Sequence, residues 1–151
     1  MKIGITNDHA AAQLKFSIMK YLEENGYEVV NYGTDGTQAF DYPEAAIPLC
    51  KALQNKEVDL GVAICGTGVG ISIACNKHKG IRACCCSDTA SARLTRSHND
   101  ANVICFGARI VGEELAKDIV HAFVMTEFSN EERHLRRIQM ITDIENEQLS
   151  Q

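Results

Sequence analysis

The chain has 151 residues, 45% apolar and 23% charged, with a net charge of −5; that size and balance predict one domain, 1–151, with its own core, and exclude a disordered or disulfide-stapled chain. Aromatics are 6% and tryptophan is absent, so the core should be aliphatic. The acidic balance argues against nucleic acid or an anionic membrane surface as partner, and no stretch approaches a membrane span.

"KIGIT" reads as a first strand, followed by a helix from about Ala11 to Asn25 with Leu14, Ile18 and Leu22 spaced by four and Gly26 as its stop. "YEVVNY" predicts the second strand. Asp41-Tyr42-Pro43 predicts a capped helix to about Asn55, kinked at Pro48 where a hydrogen bond is lost. "LGVAI" is a third strand, and a short helix begins in or just after the glycine loop behind it. "IRACCC" predicts the fourth strand, Asp88 to about Arg96 a helix, and "VICF" the fifth strand. Glu113 to Met125 should be a helix with Leu115, Ile119 and Phe123 on one face. A last helix, 131–148, carries Leu135, Ile138, Ile141 and Ile144 with no strand before it, and that stripe must pack on its own domain or on a second subunit.

Strands and helices in strict alternation imply parallel pairing, with helices on both faces. The predicted fold class is α/β, a Rossmann-like three-layer sandwich with a five-stranded parallel sheet and an extra C-terminal helix. Ligands in such sheets bind at the carboxyl ends of the strands, which gathers Asp8-His9, Cys65 to Gly70, Asp88 and Arg109 on one rim. "KIGIT" is too short for an export signal, so a reducing, cytoplasmic setting is expected and the seven cysteines should be free thiols. No C-x-x-C pair suggests zinc, and most of these thiols read as small buried hydrophobes. A redox role for Cys75, Cys84, Cys85 or Cys86 stays open.

"CGTGVG" admits three functional readings. A dinucleotide fingerprint needs its third glycine one position later, although Asp88 lies at the right remove for a ribose contact. A P-loop needs a lysine that "GVGIS" lacks. The third reading is a nest of backbone N–H groups at a helix N-terminus, aimed at an anion that forms during reaction, with Cys65 at its lip as a thiolate base. The plainer possibility is that Cys65 ends a buried strand and the glycines allow tight packing. Asp8 could be a helix cap, His98 a hydrogen-bonded loop residue ahead of the fifth strand, and "RHLRR" a solvated face. Arg133 and Arg137, four apart, also have the spacing to grip one phosphate.

Taken together, "NDHAAAQLK", "DYP", "ICGTGVGISIACNK", "GIRA", "SHNDANV", "FGARIVG" and "RHLRRI" resemble the type B ribose-5-phosphate isomerases, part of a sugar-phosphate isomerase family that also holds galactose-6-phosphate isomerase subunits. The resemblance implies aldose–ketose isomerisation in pentose phosphate metabolism through a cis-enediolate, without metal or other cofactor, in a homodimer or dimer of dimers whose site is shared between subunits. It implies Cys65 as the base, Thr67 assisting in the nest of Gly66, Gly68, Val69 and Gly70, and His98 as the acid that opens the sugar ring. Asp8, His9, Tyr42, Asn99 and Arg109 would contact the sugar, and Arg133 and Arg137 the phosphate. Glu131 and Glu132 depart from the family pattern, which commonly has glycines there, and could alter the pull on phosphate. Six-carbon phosphates (allose 6-phosphate, galactose 6-phosphate), a non-catalytic nucleotide-binding module and a silent subunit are the competing readings.

Overall fold

The computed structural model describes residues 1–147. Strands β1 (Lys2–Asn7), β2 (Glu28–Asn31), β3 (Leu60–Cys65), β4 (Ala83–Cys85) and β5 (Val103–Gly107) form one parallel sheet in the order β2-β1-β3-β5-β4. Between them run α1 (Ala12–Glu24), α2 (Tyr42–Gln54), α3 (Val69–Cys75), α4 (Thr89–Asn99) and α5 (Glu113–Val124), and α6 (Glu132–Glu145) follows. A single 3₁₀ turn, His9–Ala11, leads into α1.

The two-residue period of the strands divides the core. Ile3, Ile5, Val62, Ile64, Ile104 and Phe106 face α1, α4 and α5, whereas Ala63, Cys65, Val103 and Cys105 face α2 and α3. Being buried on both sides, the central strands read as continuous apolar runs. Strand order reverses between β1 and β3, whose registers pair Ile5 with Val62 and Asn7 with Ile64. The crevice beyond their carboxyl ends is where a sheet of this kind leaves room for a ligand.

Several details differ from the sequence-based expectation. Asp41 occupies the N-cap position of α2, but its side chain makes no capping hydrogen bond. α2 continues through Pro48; the carbonyl deprived of its partner belongs to Glu44, on the exposed first turn where water can serve it. α4 runs three residues past the predicted end at Arg96, so His98 and Asn99 stand in a helical last turn rather than a loop. No glycine marks that stop because Asp100 itself takes the left-handed position, φ 45°. On α5 the buried face is Ala116, Ile119, Val120 and Phe123, each large side chain contributing about 1.5–3 kcal/mol by leaving water, while Leu115 is 40% exposed.

Among the described residues the apolar stripe of α6 is only partly covered. His134 is the buried residue of the helix, while Leu135, Ile141 and Ile144 are 47%, 46% and 65% exposed. Gln148, where the predicted helix ends, lies outside the described residues.

Candidate active site

The crevice between β1 and β3 holds a cleft of about 390 Å³ lined by Asp8, His9, Ala10, Tyr42, Cys65, Gly66, Thr67, Val69, Gly70 and Arg109. Asp8 follows β1 directly; its amide donates to the Ile64 carbonyl at 3.1 Å, and its carboxylate accepts the Ala10 N–H at 2.9 Å. It is therefore a cap, and its side chain also borders the cleft. His9, on the same turn, is anchored through Nδ1 to the Phe40 backbone, 3.2 Å from its N–H and 3.3 Å from its carbonyl oxygen.

Cys65 ends β3 at 3% exposure, its side chain shared between the core under α2 and α3 and the cleft floor. Its Sγ accepts the Gly68 N–H at 3.1 Å. Gly68 has φ +81°, and a Cβ there would stand 2.6 Å from the Phe106 carbonyl carbon, so only glycine turns this amide inward while the loop presses on β5. At Gly70 a Cβ would meet the Tyr42 ring at 2.8 Å; that absence lets Tyr42 lie across the start of α3 and wall the cleft. The loop is tied to β5 by Ala108 N–H to Cys65 O at 2.9 Å and Arg109 N–H to Gly66 O at 3.0 Å, which brings Arg109 to the opposite rim. The Thr67 hydroxyl oxygen accepts the Val69 N–H at 3.4 Å.

His98, Asn99, Arg133 and Arg137 do not line this cleft. They gather where the end of α4 meets the start of α6, all four exposed. The His98 ring lies 4.4 Å, centroid to centroid, from that of His134, whose Nδ1 pairs with Ser129 Oγ at 2.8 Å. Burial, and then the neighbouring His98 and Arg133, hold His134 below the ordinary imidazole range, so it is a neutral backing for His98. Arg133 Nε donates to Glu131 Oε2 at 2.8 Å, so this acidic residue engages one member of the arginine pair.

Residues 3–141 match the family described as Ribose/Galactose Isomerase. The chain belongs to that family. Ribose-5-phosphate isomerase B of Escherichia coli K12 is 49% identical over 144 residues, 95% of this chain and 96% of its own. D-erythrulose-4-phosphate isomerase of Pectobacterium atrosepticum is 43% identical over 129 residues, 85% of each chain. Among solved structures, Clostridium thermocellum ribose-5-phosphate isomerase B superposes with a TM-score of 0.95 at 46% identity, covering 97% of this chain and 99% of that one.

Within this ribose/galactose isomerase fold the dinucleotide reading loses its acid, because Asp88 caps α4 by accepting the Ser91 N–H at 2.7 Å. Among the described residues no group of three or more His, Cys, Asp or Glu is arranged around a metal position. All seven cysteines are free. Hydrogen bonding to Cys105 and burial push the Cys75 thiol up, hydrogen bonding to Cys75 and burial push up Cys50, and burial raises Cys86 to about 12, which keeps these thiols protonated and unreactive.

Sequence reasoning passed over Lys15, the largest fully buried side chain. Its ammonium donates to Thr34 O at 2.8 Å, to Asn31 Oδ1 at 3.1 Å and to the Asp35 carboxylate, pinning the loop that leads from β2 to Phe40 and Tyr42. The signal was present, since a lysine one place after Leu14 falls on the inward face of α1, but a charged residue there reads as a break in the stripe.

Proposed function

We propose that this protein is a cytoplasmic aldose–ketose isomerase interconverting ribose 5-phosphate and ribulose 5-phosphate, working as a homodimer or dimer of dimers without metal or cofactor. The observation that carries the reading is the Cys65 sulfur at the floor of the cleft, under an inward-pointing Gly68 amide and between the Asp8-His9 and Arg109 rims. As thiolate, Cys65 takes the proton from C2 of the open-chain aldose and returns it to C1, while a proton moves from O2 to O1. The enediolate formed between these steps carries its charge on oxygen, where the amides of Gly66, Thr67 and Gly70 and the Thr67 hydroxyl can donate, the Gly68 and Val69 amides being engaged by Cys65 and Thr67. Losing one such donor typically costs about 10²–10³ in rate.

Ring opening needs an acid near neutral pH, which suits His98. His98, Asn99, Arg133 and Arg137 stand outside the cleft of their own chain, and among the described residues much of the stripe on α6 beside them is exposed. Both facts support a shared site in which these four residues serve the cleft of a second subunit, with α6 packed against that subunit. Asp8, His9, Tyr42 and Arg109 then hold the sugar, and the two arginines hold its phosphate, whose binding energy fixes C1 and C2 beside the sulfur.

The test is conversion of ribose 5-phosphate to ribulose 5-phosphate by pure protein in EDTA, alongside allose 6-phosphate, galactose 6-phosphate and D-erythrulose 4-phosphate, the last because of the Pectobacterium relative. Preferred turnover of the five-carbon pair supports the assignment. Preference for another sugar reassigns the substrate within the same chemistry, and no turnover of any of them defeats it.

A further inference from the structure

The last turn of α4 is held by a clasp that lies outside the cleft. Arg82, the residue before β4, donates from Nε to the Asn99 and Asp100 carbonyls, both at 3.0 Å, and from Nη2 to the Asp100 carbonyl at 2.7 Å and to Asp100 Oδ2 at 2.8 Å. The other carboxylate oxygen of Asp100 accepts Arg96 Nη1 at 2.7 Å, and the same nitrogen reaches the Ala101 carbonyl at 2.7 Å. The two guanidinium side chains are largely sheltered, at 23% and 13% exposure. Asp100 meanwhile carries φ 45°, a left-handed conformation that costs a residue with a Cβ and persists only when its surroundings hold it.

We infer that Arg82 and Asp100 are positioning residues for ring opening: the clasp fixes the backbone of Asn99 and Asp100 and thereby sets where the His98 imidazole stands. Three features of the clasp support this. It satisfies terminal carbonyls of α4 with positive charge, the favourable sign at a helix C-terminus. A planar guanidinium spanning two successive carbonyls and a carboxylate restrains direction as well as distance, which an ammonium cannot do. It also acts one residue from His98, whose ring has His134 stacked against it, so that backbone and ring are restrained independently. If the clasp served α4 stability alone, satisfying the carbonyls would suffice; the second arginine on the Asp100 carboxylate locks the left-handed turn that directs the chain out of His98-Asn99.

This inference rests on the proposed role of His98, and the experiment separates the two. Ribose 5-phosphate in water is a closed furanose and must be opened. Ribulose 5-phosphate, with its O5 esterified, is already open, so the enzyme can exchange its C1 hydrogen with solvent through the enediolate without any ring step. Damage confined to ring opening therefore slows net isomerisation, equally in both directions because their ratio is fixed by the equilibrium constant, and spares that exchange. Net turnover of ribose 5-phosphate and deuterium uptake from D2O at C1 of ribulose 5-phosphate are measured for wild type, His98→Asn, Arg82→Met and Asp100→Asn. The expected result is that Arg82→Met loses at least about tenfold in kcat/KM for ribose 5-phosphate and less than about threefold in the exchange rate, reproducing in smaller measure the split expected of His98→Asn. Equal losses in turnover and exchange, or none, overturn the inference. Should Arg82→Met not fold, the Asp100→Asn ratio decides by the same criterion. Wild type that converts neither sugar overturns the parent reading and this one together, whereas an active wild type whose variants lose turnover and exchange equally overturns this one alone.

Discussion

Replacing Gly68 by alanine separates what the glycine loop does for stability from what it does for chemistry. At φ +81° a side chain in the left-handed region costs roughly 1–2 kcal/mol. The new Cβ would also sit 2.6 and 2.7 Å from the Phe106 carbonyl carbon and Cα, so the loop must recede by about 0.8 Å to reach ordinary contact near 3.4 Å. That movement can stretch the 3.1 Å contact between the Gly68 N–H and Cys65 Sγ by up to about 0.8 Å, to the weak limit of a hydrogen bond to sulfur. A misplacement of about 1 Å at reacting groups costs on the order of 10² in rate. Gly26 provides the control: its φ is +84°, but a Cβ there meets nothing within 4 Å. For a chain of this size, 1–2 kcal/mol lowers Tm by roughly 2–8 °C. Both variants should show at least that loss by thermal melt, while only Gly68→Ala should lose about a hundredfold in kcat in the isomerase assay. A Gly68→Ala enzyme within about threefold of wild type, or a Gly26→Ala enzyme equally impaired, would refute the reasoning.

Cys65→Ala should lose at least about 10³ in turnover with its far-ultraviolet circular dichroism unchanged, since a proton-transfer group typically supplies 10²–10⁴; near-normal turnover by the folded variant removes the thiol from its role. Glu131→Gln releases Arg133 from an exposed, weakly held pair, so KM for the sugar phosphate should fall by up to about fivefold with kcat unchanged, most visibly at low salt. A KM that stays the same or rises would separate Arg133 from the phosphate. Hydrogen bonds from Lys15 and then Asn31 hold the Asp35 carboxyl below the usual aspartate range. Its contribution to stability is thus complete above about pH 4 and disappears as pH falls through its lower folded value. Melts of wild type and Asp35→Asn should therefore differ most near neutrality and converge in acid; a gap that is constant with pH would show that the pair does not stabilise the loop.

Much of the fold could be read from patterning because each local choice agreed with the layers. Ile3, Ile5, Val62 and Ile64 lie two apart on one face of apolar runs that read as strands buried on both sides, and Ile18 and Leu22 lie on the inward stripe of α1. The misses fell where a long-range contact overrode a local preference. α4 continues to Asn99 because Arg82, seventeen residues away, helps hold Asp100 in a conformation usually left to glycine. Lys15 is buried because Asn31, Thr34 and Asp35 converge on its ammonium, and none of them is a helix neighbour that periodicity could reveal. Leu115 is left exposed because Ala116 and Ile119 already fill the ridge toward the sheet.

The same division holds at the site. Residue types and order in the chain were enough to determine the parallel sheet, the glycine loop behind β3 and the chemistry of a thiol beside backbone donors, since these depend on near neighbours and on the alternation of strand and helix. The alternation of strand and helix already gathered Asp8, Cys65 and Arg109 on one rim; only the tertiary structure decided that His98 and Arg133 stand outside the cleft they share. Which strand ends meet is set by the crossing order β2-β1-β3-β5-β4, and which helix faces stay uncovered is set by packing, neither of which a linear spacing contains.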